Sequence, residues 1–235
     1  MRTTRHRILL TTLLLFGSTF FARYAAVAHD SGSYYGKKWK TGTLDGVAMD
    51  KDVDWRFGDN YPTGNWRDRA RNGAGEWNNE GRSMKFVFST GDYAPYDLCP
   101  TSYQKDAVQW RSKGKPGPLA TTPYCTMGSD STALHSFQIH VNKDYELDFY
   151  TGTGTPGSTK YDLHSVMTHE FGHAAGRVTG GSDGMGHFGE GWDVCPGPSA
   201  SNPGYRHTMC PSVYSGTTMM RDLNTHDKDT FNGTY

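Results

Sequence analysis

The sequence predicts an α+β domain, in which strand patterns and helix patterns follow one another along the chain. Apolar and polar residues alternate over 133–141, which is typical of a strand, and weaker strand patterns occupy 47–57 and 85–90. Apolar residues recur at helical spacing over 66–79 and 159–176. The 235 residues contain no internal repeat, so we expect one folded domain.

Residues 1–28 have the pattern of a secretory signal peptide, which leaves 29–235 as the mature domain. Three arginines near the start are followed by the apolar stretch 8–22 and by small residues suited to cleavage at 26–28. The apolar stretch is short for a membrane span and is interrupted by Thr, Gly and Ser. We therefore expect a secreted, extracellular protein with no membrane attachment after cleavage.

The helix predicted over 66–79 depends on four apolar residues at spacings of four, four and three: Trp66, Ala70, Ala74 and Trp77. Gly73 and Gly75 are poor helix formers and weaken the pattern. We expect both tryptophans in the core rather than at a ligand.

The stretch 91–130 is dense in Gly, Pro, Ser and Thr and is expected to be mostly loop. In the strand over 133–141, His135 and His140 are expected to be structural histidines rather than ligands of a second metal. The stretch 151–158 is rich in glycine but lacks the spacing of a phosphate-binding loop. It predicts a turn that leads into the next helix.

The helix predicted over 159–176 has recognisable ends. Thr159 with Asp162 three residues later fits a capping box, and Gly176 is a natural stop. Five apolar residues lie at helical spacing between these ends: Leu163, Val166, Met167, Phe171 and Ala174.

This helix contains His169-Glu170-Phe171-Gly172-His173, a match to H-E-x-x-H. His169 and His173 lie one turn apart on the same helix face, so both imidazoles can reach one metal ion. Glu170 lies beside that point, a placement that suits a base acting on water rather than a third ligand. The alternative is a core helix that carries two polar histidines.

Two further features accompany the motif. Ala174-Ala175-Gly176 extends it to H-E-x-x-H-x-x-G, and Thr208-Met209-Cys210-Pro211 has the form of a Met-turn. Together these residues resemble the metzincin zinc metallopeptidases, most closely the matrixin branch or a secreted bacterial relative of it. The resemblance covers about 159–231. It implies a twisted mixed sheet, a backing helix, a zinc-binding helix, the Met-turn and a C-terminal helix, which we place over 223–231.

The resemblance also implies an activity. It suggests a secreted zinc endopeptidase with one catalytic Zn²⁺, Glu170 as general base, and Met209 as a floor under the metal. The substrate would be a protein or peptide, paired as an added strand with a sheet edge that we assign to 133–141. We expect a monomer, and the sequence does not decide whether calcium is required.

The third zinc ligand departs from the family pattern. The family has a histidine three residues after the glycine, and that position is Thr179 here, a poor zinc ligand. Catalytic zinc takes three protein ligands and an open place for water, so another side chain must reach it. We expect His187, because the glycine-rich 180–186 lets the chain bulge and return, with Asp183 as the alternative. Weaker candidates are Glu190, Asp193 and His207.

Four cysteines in an exported chain favour disulfides over thiol chemistry. Three pairings are possible, and we expect the nearest-neighbour one, Cys99 with Cys125 and Cys195 with Cys210. The second bridge would tie the loop after the zinc helix to the Met-turn. No C-x-x-C spacing is present, which argues against a cysteine zinc site.

The charge balance argues against a nucleic-acid partner. The chain has 24 basic and 24 acidic residues, and four of the arginines lie in the leader, so the mature chain is mildly acidic. Nucleic-acid binding requires clustered positive charge, and the basic stretches 37–38 and 67–71 are short. Two other functions stay open: a secreted zinc amidase of another class, and a catalytically silent binding module with the zincin fold.

Overall fold

A computed structural model of the chain describes residues 24–26, 39–40, 42–44, 47–49, 52–80, 84–94, 106–126, 129–130, 132–176, 208–210 and 212–234. The strands are β1 (Tyr24–Ala26), β2 (Gly42–Leu44), β3 (Val47–Met49), β4 (Asp52–Phe57), β5 (Lys85–Phe88), β6 (Asp106–Arg111), β7 (Ala120–Thr121), β8 (Tyr124–Thr126), β9 (Leu134–Asn142), β10 (Phe149–Tyr150), β11 (Tyr161–Asp162) and β12 (Ser212–Tyr214). The helices are α1 (Asn65–Asn78), α2 (Leu163–Ala175) and α3 (Thr225–Thr234), and a 3₁₀ helix spans Lys143–Asp148.

The main sheet has the strand order β5-β4-β6-β9-β7, and β8 also pairs with β9. Strands β5, β4, β6 and β9 are parallel, whereas β7 and β8 run antiparallel to β9. Parallel neighbours need a crossover connection, and α1 lies in the crossover from β4 to β5. The predicted α+β class with a mixed sheet is confirmed. Three further pairs lie outside this sheet: β1 with β12, β2 with β3, and β10 with β11.

The prediction of loop over 91–130 is wrong at β6, which lies near the centre of the sheet. Four consecutive residues of β6, Asp106 to Gln109, are buried, because the strand has neighbours at both edges and cover on both faces. A strand of this kind shows no alternation of apolar and polar residues, so its sequence lacks the usual signal.

The prediction that 133–141 forms the sheet edge is also wrong. Strand β9 pairs with β6 on one side and with β7 and β8 on the other. On that side the edge of the described sheet is instead the segment 120–126, which contains β7 and β8, and β5 forms the opposite edge. The single strand predicted over 47–57 is divided into β3 and β4.

The core lies between the sheet and the two long helices. Phe171 of α2 makes edge-to-face contacts with Trp55, Phe86 and Phe137 of the sheet, with ring centroids 5.0, 4.9 and 6.0 Å apart. Such contacts contribute about 0.5–1.5 kcal/mol each beyond the burial of area. The predicted helix over 66–79 is confirmed as α1, in which Trp77 is buried and Trp66 is partly buried.

Helices α1 and α2 approach each other closely at Gly73. A Cβ atom added there would lie 2.7 Å from the backbone of Met167 and Thr168, whereas one added at Gly75 would meet no atom of the described residues within 4 Å. Trp77 Nε1 also donates a hydrogen bond to the carbonyl oxygen of Thr168, at 2.8 Å. The first glycine is therefore required by packing, and the second is not.

Helix α2 begins later than the sequence predicts. Its N-cap is Asp162, whose carboxylate accepts a hydrogen bond from Ser165 N at 2.8 Å, so the expected start at Thr159 is wrong. The chain remains extended through Asp162 because Tyr161–Asp162 pairs with Phe149–Tyr150. The helix ends at Gly176 as predicted, where a φ of 103° suits glycine.

The C-terminal segment closes over the helix pair. Helix α3 begins at Thr225, two residues after the predicted start, and its Phe231 packs edge-to-face on Trp77. Among the helices that the structure describes, none has the length and apolar character needed to cross a bilayer.

Candidate metal and hydrolytic site

The side chains of His169 and His173 converge on the same face of α2. Their Nε2 atoms are 3.0 Å apart, and the two ring planes are inclined at 81°. Two nitrogen ligands about 2.05 Å from a tetrahedral zinc ion lie about 3.3 Å apart, which is close to this spacing. The two nitrogens thus occupy positions that suit two ligands of a single ion.

A backbone carbonyl fixes the orientation of His169. The Nδ1 atom of the ring lies 2.8 Å from the carbonyl oxygen of Thr208, so Nδ1 carries the proton and donates it. In that tautomer Nε2 carries a lone pair, as a metal ligand requires. Thr208 is held in turn, because its backbone N–H donates to the Asp227 carboxylate at 2.9 Å. This contact could not be predicted from the sequence, because its acceptor is a main-chain atom.

Met209 packs directly against the helix between the two histidines. A Cβ atom added at Gly172 would lie 2.2 Å from Met209 Sδ and 2.6 Å from Trp77, so this position admits only glycine without rearrangement. Met209 itself is buried. The turn at Thr208–Met209 therefore supports the histidine-bearing turn of α2 from the side of the C-terminal segment.

Glu170 is fully buried beside the two histidines. Burial raises the pKa of Glu170 to about 8, and a hydrogen bond from Thr122 opposes this rise. Thr122 Oγ1 donates to Glu170 Oε2 at 2.5 Å, whereas Oε1 has no hydrogen-bond partner among the described residues. A cation near the histidines would favour the ionised form of this carboxyl group. Thr122 was not predicted, because it is 48 residues from Glu170 in the chain and belongs to no motif.

The described residues fit two of the three protein ligands of a catalytic zinc ion. Neutral imidazole nitrogens are common zinc ligands. Glu170, which adjoins His169 in the chain, has a buried carboxylate oxygen with no partner among the residues described. Within the described ranges, no set of three His, Cys, Asp or Glu side chains is placed to hold a metal. The predicted ligands His187 and Asp183 lie outside those ranges, as do Thr179, Glu190, Asp193 and His207.

Two further histidines, His135 and His140, lie in β9. His140 follows the alternation of β9 away from the buried Phe137, and its Nε2 lies 2.7 Å from Gln138 Oε1. Burial, with the nearby charges of Lys113 and Arg111, lowers the pKa of His140 to about 4. His135 is buried in the same strand.

Two of the four cysteines belong to the described residues. Cys125 and Cys210 are both disulfide-bonded. Cys99 and Cys195, their predicted partners, lie outside the described ranges, so the pairing stays a prediction.

Comparison with known proteins leaves the site to be interpreted from its own geometry. No protein-family model matches the chain, and no curated protein matches it.

Proposed function

We propose that the protein is a secreted zinc endopeptidase, similar to the metzincins. The observation that carries this proposal is the grouping of the two histidine Nε2 atoms, 3.0 Å apart, with a buried carboxylate on the adjacent residue, Glu170. In the described part of the chain, Glu170 Oε1 is buried without a hydrogen-bond partner. A helix with only a structural role has no need for such an atom, because burying it costs free energy.

The architecture supports the same proposal. The motif lies on a helix that packs against a mixed sheet, a second helix packs against the first, and Met209 contacts the motif helix at Gly172. A further helix, α3, follows near the C-terminus. These are the elements that the resemblance to the metzincins implies.

The chemistry follows from the roles of the side chains. Zinc held by His169, His173 and a third ligand, for which we propose His187 with Asp183 as the alternative, would supply the Lewis acidity that activates water and polarises a carbonyl. Glu170 accepts a proton from the water that attacks the scissile carbonyl carbon. The proton then passes to the amine nitrogen as the C–N bond breaks. A carboxyl pKa raised towards neutrality by burial suits this role.

We place the peptide substrate along the sheet edge 120–126. This segment is one of the two edges of the sheet within the described residues, and Thr122 brings it into contact with Glu170. A peptide that adds as a further strand would run beside the carboxylate. The sheet edge proposed to bind the substrate and the proposed general base, Glu170, are therefore in contact.

The test is hydrolysis of an unstructured protein by the mature chain and by Glu170→Gln, with products identified by mass spectrometry. We expect the variant to lose at least about a hundredfold in rate, because general-base catalysis contributes that much. Circular dichroism would establish that the variant is folded. Equal cleavage by the two proteins would refute the proposal.

The same preparation separates the alternatives. Cleavage of peptidoglycan fragments but not of proteins would identify an amidase of another class. If neither substrate is cleaved and metal chelation does not affect partner binding, the silent binding module would be correct.

A further inference from the structure

The contact between Thr122 and Glu170 joins the sheet edge to the motif helix. Thr122 lies between β7 and β8 and is buried, with 3 % of its surface exposed. Its Oγ1 is 2.5 Å from Glu170 Oε2 and 3.2 Å from the Glu170 carbonyl oxygen. The next residue, Pro123, accepts a hydrogen bond from Gln138 N at 2.9 Å, which fixes this part of the edge against β9.

The contact makes the two oxygens of the carboxylate different. Oε2 is held by the hydroxyl group, whereas Oε1 is buried and has no partner in the part of the chain that the structure describes. A threonine side chain is stiff about χ1 because it is branched at Cβ, so the hydroxyl group is held in one direction. A carboxylate that is held at one oxygen cannot exchange its two oxygens by rotation without breaking that bond.

We propose that Thr122 is a positioning residue for Glu170: it anchors Oε2 and thereby assigns proton acceptance to Oε1. This inference rests on the proposed hydrolytic function, and it adds a residue that the H-E-x-x-H motif does not contain. Thr122 touches neither water nor substrate in this role. It acts by keeping the base within the narrow range of orientations that proton transfer requires.

The first arm of the test compares Thr122→Val, which removes the hydroxyl group at nearly constant shape, with Thr122→Ser, which keeps it. We expect Thr122→Val to lower kcat by about tenfold to a hundredfold, with KM changed by less than about twofold. Thr122→Ser should recover kcat to within about threefold of wild type. Thr122→Ala serves in place of the valine variant if that protein does not fold.

The second arm does not depend on turnover. In chelator-treated protein at one fixed pH, the infrared band of the Glu170 carboxyl group, assigned by its loss in Glu170→Gln, should shift in Thr122→Val and stay in place in Thr122→Ser. If wild type does not hydrolyse peptides, the proposed function fails, and this shift still tests the contact.

Two results would overturn the inference. One is a wild-type kcat in Thr122→Val under conditions in which Glu170→Gln is inactive. The other is an infrared band that is the same in Thr122→Val and in wild type. The first of these results, if accompanied by a changed KM, would assign Thr122 to the substrate edge rather than to the base.

Discussion

Helices α1 and α2 pack against each other but bury different kinds of residues. In α1 the buried residues form one stripe of small and aromatic side chains: Ala70, Gly73, Ala74 and Trp77. In α2 all thirteen residues are buried, including the polar His164, His169, Glu170 and His173. An amphipathic helix needs only an apolar surface to pack on, whereas a buried polar helix needs a partner for each polar group.

The partners of α2 come from distant parts of the chain. They include a carbonyl for His169, a hydroxyl for Glu170 and a guanidinium for the N-cap, together with two indole N–H groups that donate to helix carbonyls. The residues that supply them are Thr208, Thr122, Arg221, Trp39 and Trp77. The helix that carries the site therefore depends on the whole fold, and α1 depends mainly on its own pattern.

The largest expected effect on stability is at the N-cap of α2. Arg221 binds the fully buried Asp162 through two nitrogens, at 2.9 and 2.6 Å, and also donates to carbonyls of the turn at 152–154. Arg221→Met would leave the carboxylate buried without its cationic partner, with only the hydrogen bonds from Ser165 remaining. We expect a loss of about 3–5 kcal/mol in the free energy of unfolding, measured by denaturant titration.

The matched control for this loss is Lys228→Met, which removes a cation from the more exposed pair with Glu80, 3.0 Å apart. That change should cost less than about 1 kcal/mol. Similar losses in the two variants would mean that the ion pair at the N-cap of α2 contributes no more to stability than an exposed ion pair does.

A smaller effect distinguishes the two glycines of α1. Gly73→Ala would force a methyl group against the α2 backbone and should cost about 1–3 kcal/mol. Gly75→Ala has free space and should stabilise the protein by about 0.5–1 kcal/mol, because alanine is the better helix former. Both are measured by thermal unfolding. Equal changes in melting temperature in the two variants would contradict the close approach of the helices.

The smallest effect concerns the pH dependence of stability. Burial lowers the pKa of His164 from 6.5 to about 4, so below pH 6.5 the unfolded chain binds a proton that the folded chain rejects until about pH 4. Stability contributed by this residue is therefore present above pH 6.5 and is lost as the pH falls towards 4. We compare the unfolding free energy of His164→Gln with that of wild type at two pH values. The variant's value minus the wild-type value should be about 1 kcal/mol greater at pH 5.5 than at pH 7.5. Parallel curves of unfolding free energy against pH would count against this assignment.

Local features of the structure could be predicted from the sequence. The bounds of α1, the end of α2 at Gly176 and the strand preceding the motif helix follow from spacing and from glycine, which are properties of neighbouring residues. Strand β6 could not be predicted, because a strand buried on both faces shows no alternation.

The contacts of the candidate site were beyond sequence reasoning for a different physical reason. Thr122 lies 48 residues from Glu170, and the Thr208 carbonyl lies 39 residues from His169. Only the fold brings these groups together, and a main-chain acceptor has no signature in the sequence. The antiparallel edge at 120–126 was missed because its strands are two and three residues long.

The central claim is that two histidines of α2 bind a divalent metal beside a carboxylate that is not itself a ligand. The most direct measurement is the zinc content of the mature protein and of its variants after zinc-replete expression and desalting. We expect one zinc ion per chain in wild type and in Glu170→Gln, and none in His169→Ala. If His187 is the third ligand, His187→Ala should lose the zinc ion and Asp183→Ala should retain it. A wild-type protein without zinc, or a His169→Ala variant that keeps it, would contradict the account.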